Sequence, residues 1–157
     1  MFQSETYSIW DTLFYDSGLN DGTKNPNWTS SGNPTITPTA NGTLVENTVS
    51  SIYQSTKSIS GDFEAIVELT NIQDNIRVGA YGSSTYCRAI IYNTGFVKIR
   101  RENNVVKIYH STDGVNYTEV TYDLNTLTSE DCKFTFYIYS TGTKCSGTYK
   151  DLKIYSI

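Results

Sequence analysis

An all-β fold, two antiparallel sheets packed as a sandwich, is what this sequence predicts, and three observations carry that prediction. Apolar and polar residues alternate with a period of two over many short runs. No window of a dozen residues keeps apolar positions at i, i+3, i+4 and i+7 without a Gly, Pro or polar cluster intervening. Gly, Asn, Asp and Ser recur between the alternating runs, where a chain of short strands must turn. At 157 residues the chain is long enough for one core and short for two, so residues 1–157 are expected to form a single domain.

Taken from the N-terminus, Ile9 and Trp10 suit a terminal strand with the Trp in the core. Residues 16–43 are rich in Gly, Asn, Pro and Ser and read as a long surface excursion. Its Trp28 argues for docking on the body, as a plug at one end of the sandwich or as an exposed platform for a sugar, with the plug preferred. In Phe63–Leu69 the residues Phe63, Ala65, Val67 and Leu69 share one face, and Glu64 and Glu68 share the other. Further runs follow at Ile76–Tyr81, Tyr86–Tyr92, Phe96–Arg101, Val105–His110, Tyr117–Tyr122, Phe134–Tyr139 and Tyr149–Ile157. Asn93-Thr94-Gly95, Glu102-Asn103-Asn104 and Asp113-Gly114 lie between them and are expected to reverse the chain in hairpins, making residues 76–122 a meander. Leu124–Asp131 is the one stretch suited to a helical turn. No internal repeat or low-complexity tail is present.

Composition excludes several classes of function. Sixteen acids against twelve bases give a formal charge of −4, which argues against nucleic-acid binding. A hydrophobic fraction of 38% without a long apolar run argues against membrane insertion. The opening MFQSETYSIW lacks the features of a signal peptide. Cys87, Cys132 and Cys145 form no metal-binding pattern and read as buried thiols, with Cys132–Cys145 the one pairing open to neighbouring strands. The sequons at Asn27, Asn41 and Asn116 carry little weight without a secretion signal.

Several segments occur in an order that resembles a known family. A polar N-terminal loop with a Trp is followed by ANGTLVEN, by SISGDFEAIVEL, by a meander ending in KIRRENNVVKIYHSTDGVNYTEV, and by a final YKDLKIYSI. This resembles the concanavalin A-like lectin/glucanase domains, the group that includes laminin-G-like jelly rolls, and Ser111–Thr118 is similar to their S-x-DG-x-x-aromatic-T hairpin. The resemblance implies a jelly roll whose concave sheet is often used for glycans.

Chemistry is sought where charge concentrates. Residues 1–75 carry −7, residues 76–112 carry +5 and residues 113–157 carry −2, so the meander is a basic island. Strand parity groups Arg77 with Tyr81, groups Tyr86, Arg88 and Tyr92, pairs Lys98 with Arg100, and pairs Lys107 with Tyr109. If register aligns them they share one face. Tyrosine rings lie flat on the C–H faces of sugars, and Arg binds hydroxyls or carboxylates in pairs. The candidate ligand-binding residues are therefore Arg77, Tyr81, Tyr86, Arg88, Tyr92, Lys98, Arg100 and Tyr109. The plainer alternative, given the greater weight, is a solvated sheet face whose bases pair with Glu64 and Glu68.

No catalytic group assembles from the sequence. Glucanases of the resembled fold carry E-x-D-x-E on one strand, but here Ile66 stands where the middle Asp would be, so Glu64 and Glu68 read as exposed strand positions. His110 has no nucleophile motif beside it. Asp16, Asn20 and Asp21 offer hard oxygens for a structural Ca²⁺, against the simpler reading of a polar turn. No other cofactor is implied.

A non-catalytic lectin-like adhesion module is the expectation that remains. A chain that starts at its own Met without an export signal would meet glycans after lysis. It is therefore read first as a virion surface component of a prokaryotic virus, a head-decoration, fibre or tail-associated protein, acting at the virion surface or outside the cell. Its partners would be carbohydrate or other virion or cell-surface proteins, with homo-oligomers open. The alternative is a carbohydrate-binding module of a secreted glycan-degrading enzyme.

Overall fold

The computed structural model describes residues 12–19, 26–120 and 122–157, and among these the chain forms twelve strands and no helix. They are β1 (Thr12–Asp16), β2 (Trp28–Ser31), β3 (Thr35–Thr39), β4 (Gly42–Ser55), β5 (Phe63–Gln73), β6 (Ile76–Tyr81), β7 (Tyr86–Ile91), β8 (Gly95–Glu102), β9 (Val105–Ser111), β10 (Thr118–Glu119), β11 (Tyr122–Asn125) and β12 (Lys133–Ser156). The named strands all pair antiparallel, and one continuous hydrogen-bonded ladder folds over into two layers. The front layer runs β11–β7–β6, then the first half of β12, the second half of β4, and β2. The rear layer runs β10–β9–β8–β5, then the second half of β12, which is flanked by β1 and by the first half of β4, with β3 outside β4.

The layers meet along a fold line that four strand paths cross. β5 gives way to β6 at 74–75 and β7 to β8 at 92–94, while β4 and β12 pass through without ending. Positive φ at Asn71 (50°) and Asp74 (60°) lets the backbone bend there. The β4–β12 register slips twice between Ile138 and Cys145, giving β12 the extra residues that a corner needs.

Alternation does the rest. Phe63, Ala65, Val67 and Leu69 of β5, Val78 and Ala80 of β6, Cys87 and Ala89 of β7, Val97 and Ile99 of β8, and Phe134 and Phe136 of β12 point inward and are buried. Each fully buried aliphatic or Phe contributes about 1.5–3 kcal/mol of transfer free energy. Trp28 is the aromatic hub of this core, stacked on Tyr53 with centroids 4.5 Å apart and edge-on to Phe134 at 6.3 Å. The preferred plug reading thus agrees with its burial. Its indole N–H donates to Asp16 Oδ2 (2.7 Å), and Tyr149 OH donates to the same oxygen (2.8 Å). Arg101 is also interior. Its guanidinium donates to the carbonyls of Gly61 (2.8 Å), Thr128 (3.2 Å) and Glu130 (2.6 Å) and ties two loops to β8.

Several expectations are corrected. Asn93-Thr94-Gly95 is not a hairpin: β7 pairs with β6 and β8 with β5, so the chain rounds the corner instead of reversing. Asn103 and Asn104, both with positive φ (51° and 63°), do make the tight β8–β9 turn. Leu124–Asp131 holds the end of β11 and bends, not a helical turn, because Leu124 and Asn125 pair with β7. The runs Phe134–Tyr139 and Tyr149–Ile157 belong to one strand, and β4 was not anticipated at all. In both, the polar stretch that reads as a loop is the fold-line crossing.

Cys132 and Cys145 are free, as is Cys87. Cys132 immediately precedes β12 and Cys145 lies within it, so the two follow one another along a single extended segment and cannot face each other. Asp16 does not present a metal ligand to solvent. It is buried and accepts from Gly18 N (2.9 Å), Trp28 and Tyr149. Asn20, Asp21 and Trp10 lie outside the described residues. Among the described residues no group of three His, Cys, Asp or Glu could hold a metal ion.

Candidate functional site

The outward positions of the front layer form a lattice of tyrosines and arginines. β7 contributes Tyr86 and Arg88, β6 contributes Arg77 and Tyr81, and β12 contributes Tyr137 and Tyr139. The Arg88 guanidinium lies 4.2 Å from the Tyr86 ring centroid and 4.7 Å from that of Tyr137, and its Nη1 donates to Tyr81 OH (2.9 Å). Arg77 lies 5.0 Å over Tyr139, and Tyr81 stacks on Tyr86 at 5.2 Å. Arg88 has room because its cross-strand partner on β6 is Gly79. A Cβ on Gly79 would stand 2.7 Å from Arg88 Cβ and closer still to the Cys87 carbonyl oxygen.

Electrostatics on this face are dominated by partial burial. It pushes the Tyr81 phenol up to about 12, against the hydrogen bond and charge of Arg88, which act in the opposite direction. Tyr81 therefore stays neutral at physiological pH and accepts from Arg88 as a phenol. The result is a surface of flat rings and two flat cations, able to lie against C–H groups while guanidinium and phenol hydrogens reach hydroxyls.

The rear face carries a different arrangement. Arg100 sits opposite Glu64 in the β5–β8 ladder, with Nη1 2.6 Å from Glu64 Oε2, and its Nε is 3.2 Å from Glu102. Lys150 pairs with Glu68 (3.4 Å) and Lys107 with Glu119 (3.7 Å). Lys98 places its ammonium 3.8 Å over the Tyr117 ring, and Tyr109 stands across the ladder from Lys98. Glu64 thus meets a base of the basic island, whereas Glu68 is met by Lys150 from β12, and Glu64 is buried, not the exposed strand position expected.

The eight candidates therefore do not share one face. Arg77, Tyr81, Tyr86 and Arg88 come together at the front, whereas Lys98, Arg100 and Tyr109 lie at the rear. Tyr92, 62% exposed, stands at the fold line near His110, whose Nε2 is 3.1 Å from the Asn93 carbonyl oxygen. The physical reason is the corner at 92–94, which sends β8 and β9 to the other layer. Sequence reasoning also missed Tyr137 and Tyr139. Both have the right parity in a recognised run, but nothing local says that β12 lies beside β6.

No family model matches the sequence, and no curated protein matches it. Among solved structures, the carbohydrate-binding module CBM66 from Bacillus subtilis is similar, with a TM-score of 0.59 and 14% identity over 87% of this chain and 98% of that one. At that identity the likeness speaks for the fold alone, an antiparallel β-sandwich, without singling out the concanavalin A-like group.

Proposed function

We propose that this chain is a non-catalytic carbohydrate-binding module whose sugar contacts lie on the front face. The observation that carries the reading is the lattice itself, in which Tyr81, Tyr86, Tyr137 and Tyr139 surround Arg88 and Arg77 on a rigid sheet. Sites built on strands hold such groups in register better than loops do. Support for the ligand class comes from the fold it shares with a carbohydrate-binding module. Glu64 and Glu68 are each engaged by a base, which suits a non-catalytic use of both.

The setting proposed first from sequence, the surface of a virus particle with virion proteins as partners, draws no support from the fold. The module of a secreted glycan-degrading enzyme fits at least as well and is the reading preferred here. Mass spectrometry of purified particles against culture supernatant separates the two settings. The binding claim is tested on a glycan array with Arg88→Ala and Tyr137→Ala. The signal is expected to fall at least about tenfold in each, a loss of about 1.4 kcal/mol or more, with melting temperatures near that of the parent. A signal unchanged in both variants, with both folded, rules the front face out.

A further inference from the structure

We propose that the rear face carries a second, separate saccharide site, a groove of about 310 Å³ lined by Ile66, Glu68, Phe96, Asp151, Lys153 and Tyr155. The proposal shares with the front-face reading only the premise that the ligand is a sugar. Its residues are different, and it lies on the opposite side of the sandwich.

The groove follows from the ladder. Ile66 lies between Lys98 of β8 and Lys153 of β12, and Glu68 lies opposite Phe96 and Lys150. Between the Lys150–Glu68 and Lys153–Ile66 pairs, β12 carries one residue more than β5. Asp151, with φ of 52°, sits in that bulge, exposed, while Leu152 beside it is fully buried. Bulges of this kind re-aim a side chain at a site. Two further contacts hold the Asp151 wall in place: its N–H donates to the Ser17 carbonyl (2.9 Å), and Tyr15 OH reaches its Oδ1 at 3.4 Å.

The lining selects the occupant. Ile66 and the Phe96 ring make an apolar floor suited to the C–H face of a sugar ring, and the Tyr155 ring closes one side. Around that floor stand two carboxylates, Glu68 and Asp151, and two ammoniums, Lys153 and the Lys150 that pairs with Glu68, so the charges balance. A carboxylate takes two vicinal hydroxyl hydrogens, and an ammonium donates to hydroxyl oxygens. With Glu68 held by Lys150, no surplus cation is left for an anionic sugar and Asp151 would repel it, so the class that fits is a neutral sugar residue. The volume lies at the small end of ligand sites, about 300–1,000 Å³, which suits one ring more than several.

Affinity electrophoresis of the whole chain in gels containing soluble neutral polysaccharides (a glucan, a mannan, a galactan and a xylan) or polygalacturonate tests this. Ile66→Glu fills the groove and sets its carboxylate between Lys98 and Lys153, so folding is preserved. Asp151→Asn keeps a side chain that tolerates positive φ while removing an acceptor charge. Retardation by a neutral polysaccharide is expected in the parent and is expected to persist in Arg88→Ala, which disables the front face; in that Arg88→Ala background it is weakened at least about tenfold by Ile66→Glu and reduced by Asp151→Asn. Retardation by a neutral polysaccharide that Arg88→Ala abolishes and Ile66→Glu leaves intact overturns the groove and keeps the front face. Retardation by polygalacturonate alone does the same, and retardation by none of the gels overturns both readings.

Discussion

The two outer faces of the sandwich use the same residue types to different ends. At the rear, Arg100 faces Glu64 across the ladder and has Glu102 two residues along, so its charge is met by carboxylates. At the front, Arg88 faces Gly79, and the space left by the missing side chain lets tyrosines close around the guanidinium. The difference is one of register. Parity decides that an arginine points outward, and the residue opposite decides whether it is neutralised or stacked.

The largest expected effect is a loss of stability at high pH, to which the rear layer also contributes because burial raises the Tyr149 and Tyr117 phenols. Burial raises Tyr81 to about 12, and likewise the inward Cys87 of β7 to about 12 and Tyr53 of β4 to about 12, all in the front layer. In the unfolded chain these groups lose their protons near their ordinary values, about 10 for Tyr and 8.5 for Cys. Between those values and 12 the unfolded state binds fewer protons than the folded one, so stability falls as pH rises. Thermal melts from pH 8 to 11 are expected to show a progressive drop beginning near pH 9. A flat profile would mean that these side chains are not held as described. Next in size, Gly79→Val drives a branched side chain into the Cys87 carbonyl and the Arg88 stem, and should destabilise by about 2–4 kcal/mol in denaturant titrations. A loss under about 1 kcal/mol would show that the room beside Arg88 is not essential. The smallest effects form a pair. Glu64→Gln weakens a largely buried, charge-assisted hydrogen bond and should cost about 1–2 kcal/mol, whereas Tyr137→Leu removes one stacking partner of Arg88 and should cost about 0.5–1 kcal/mol. Raising salt is expected to shrink the first loss more than the second, and equal salt sensitivity would erase the distinction between the faces.

These contrasts also explain what could be read without coordinates. The runs at Phe63, Ile76, Tyr86, Phe96 and Val105 each lie within one layer, where period two holds over most of the run, and all five are strands. β4 and the middle of β12 cross the fold line, where register slips and both sides meet water. Val49 is 52% exposed there and Tyr139 is 53% exposed, so alternation fails and the segments resemble loops. Half of the candidate cluster was recoverable because Arg77, Tyr81, Tyr86 and Arg88 sit on adjacent strands joined by a short turn. Tyr137 reaches Arg88 on the same face from 49 residues away in the chain, and Lys98 leaves it after a bend of three residues. Neither fact has a local signature.

The uninterrupted passage of β4 and β12 from one layer to the other bears on how such a module would carry load. Where two sheets are joined only by side-chain packing, shear can slide one over the other. Here, tension applied at the front reaches the back through peptide bonds and rows of amide–carbonyl pairs, so the layers resist sliding as one covalent piece.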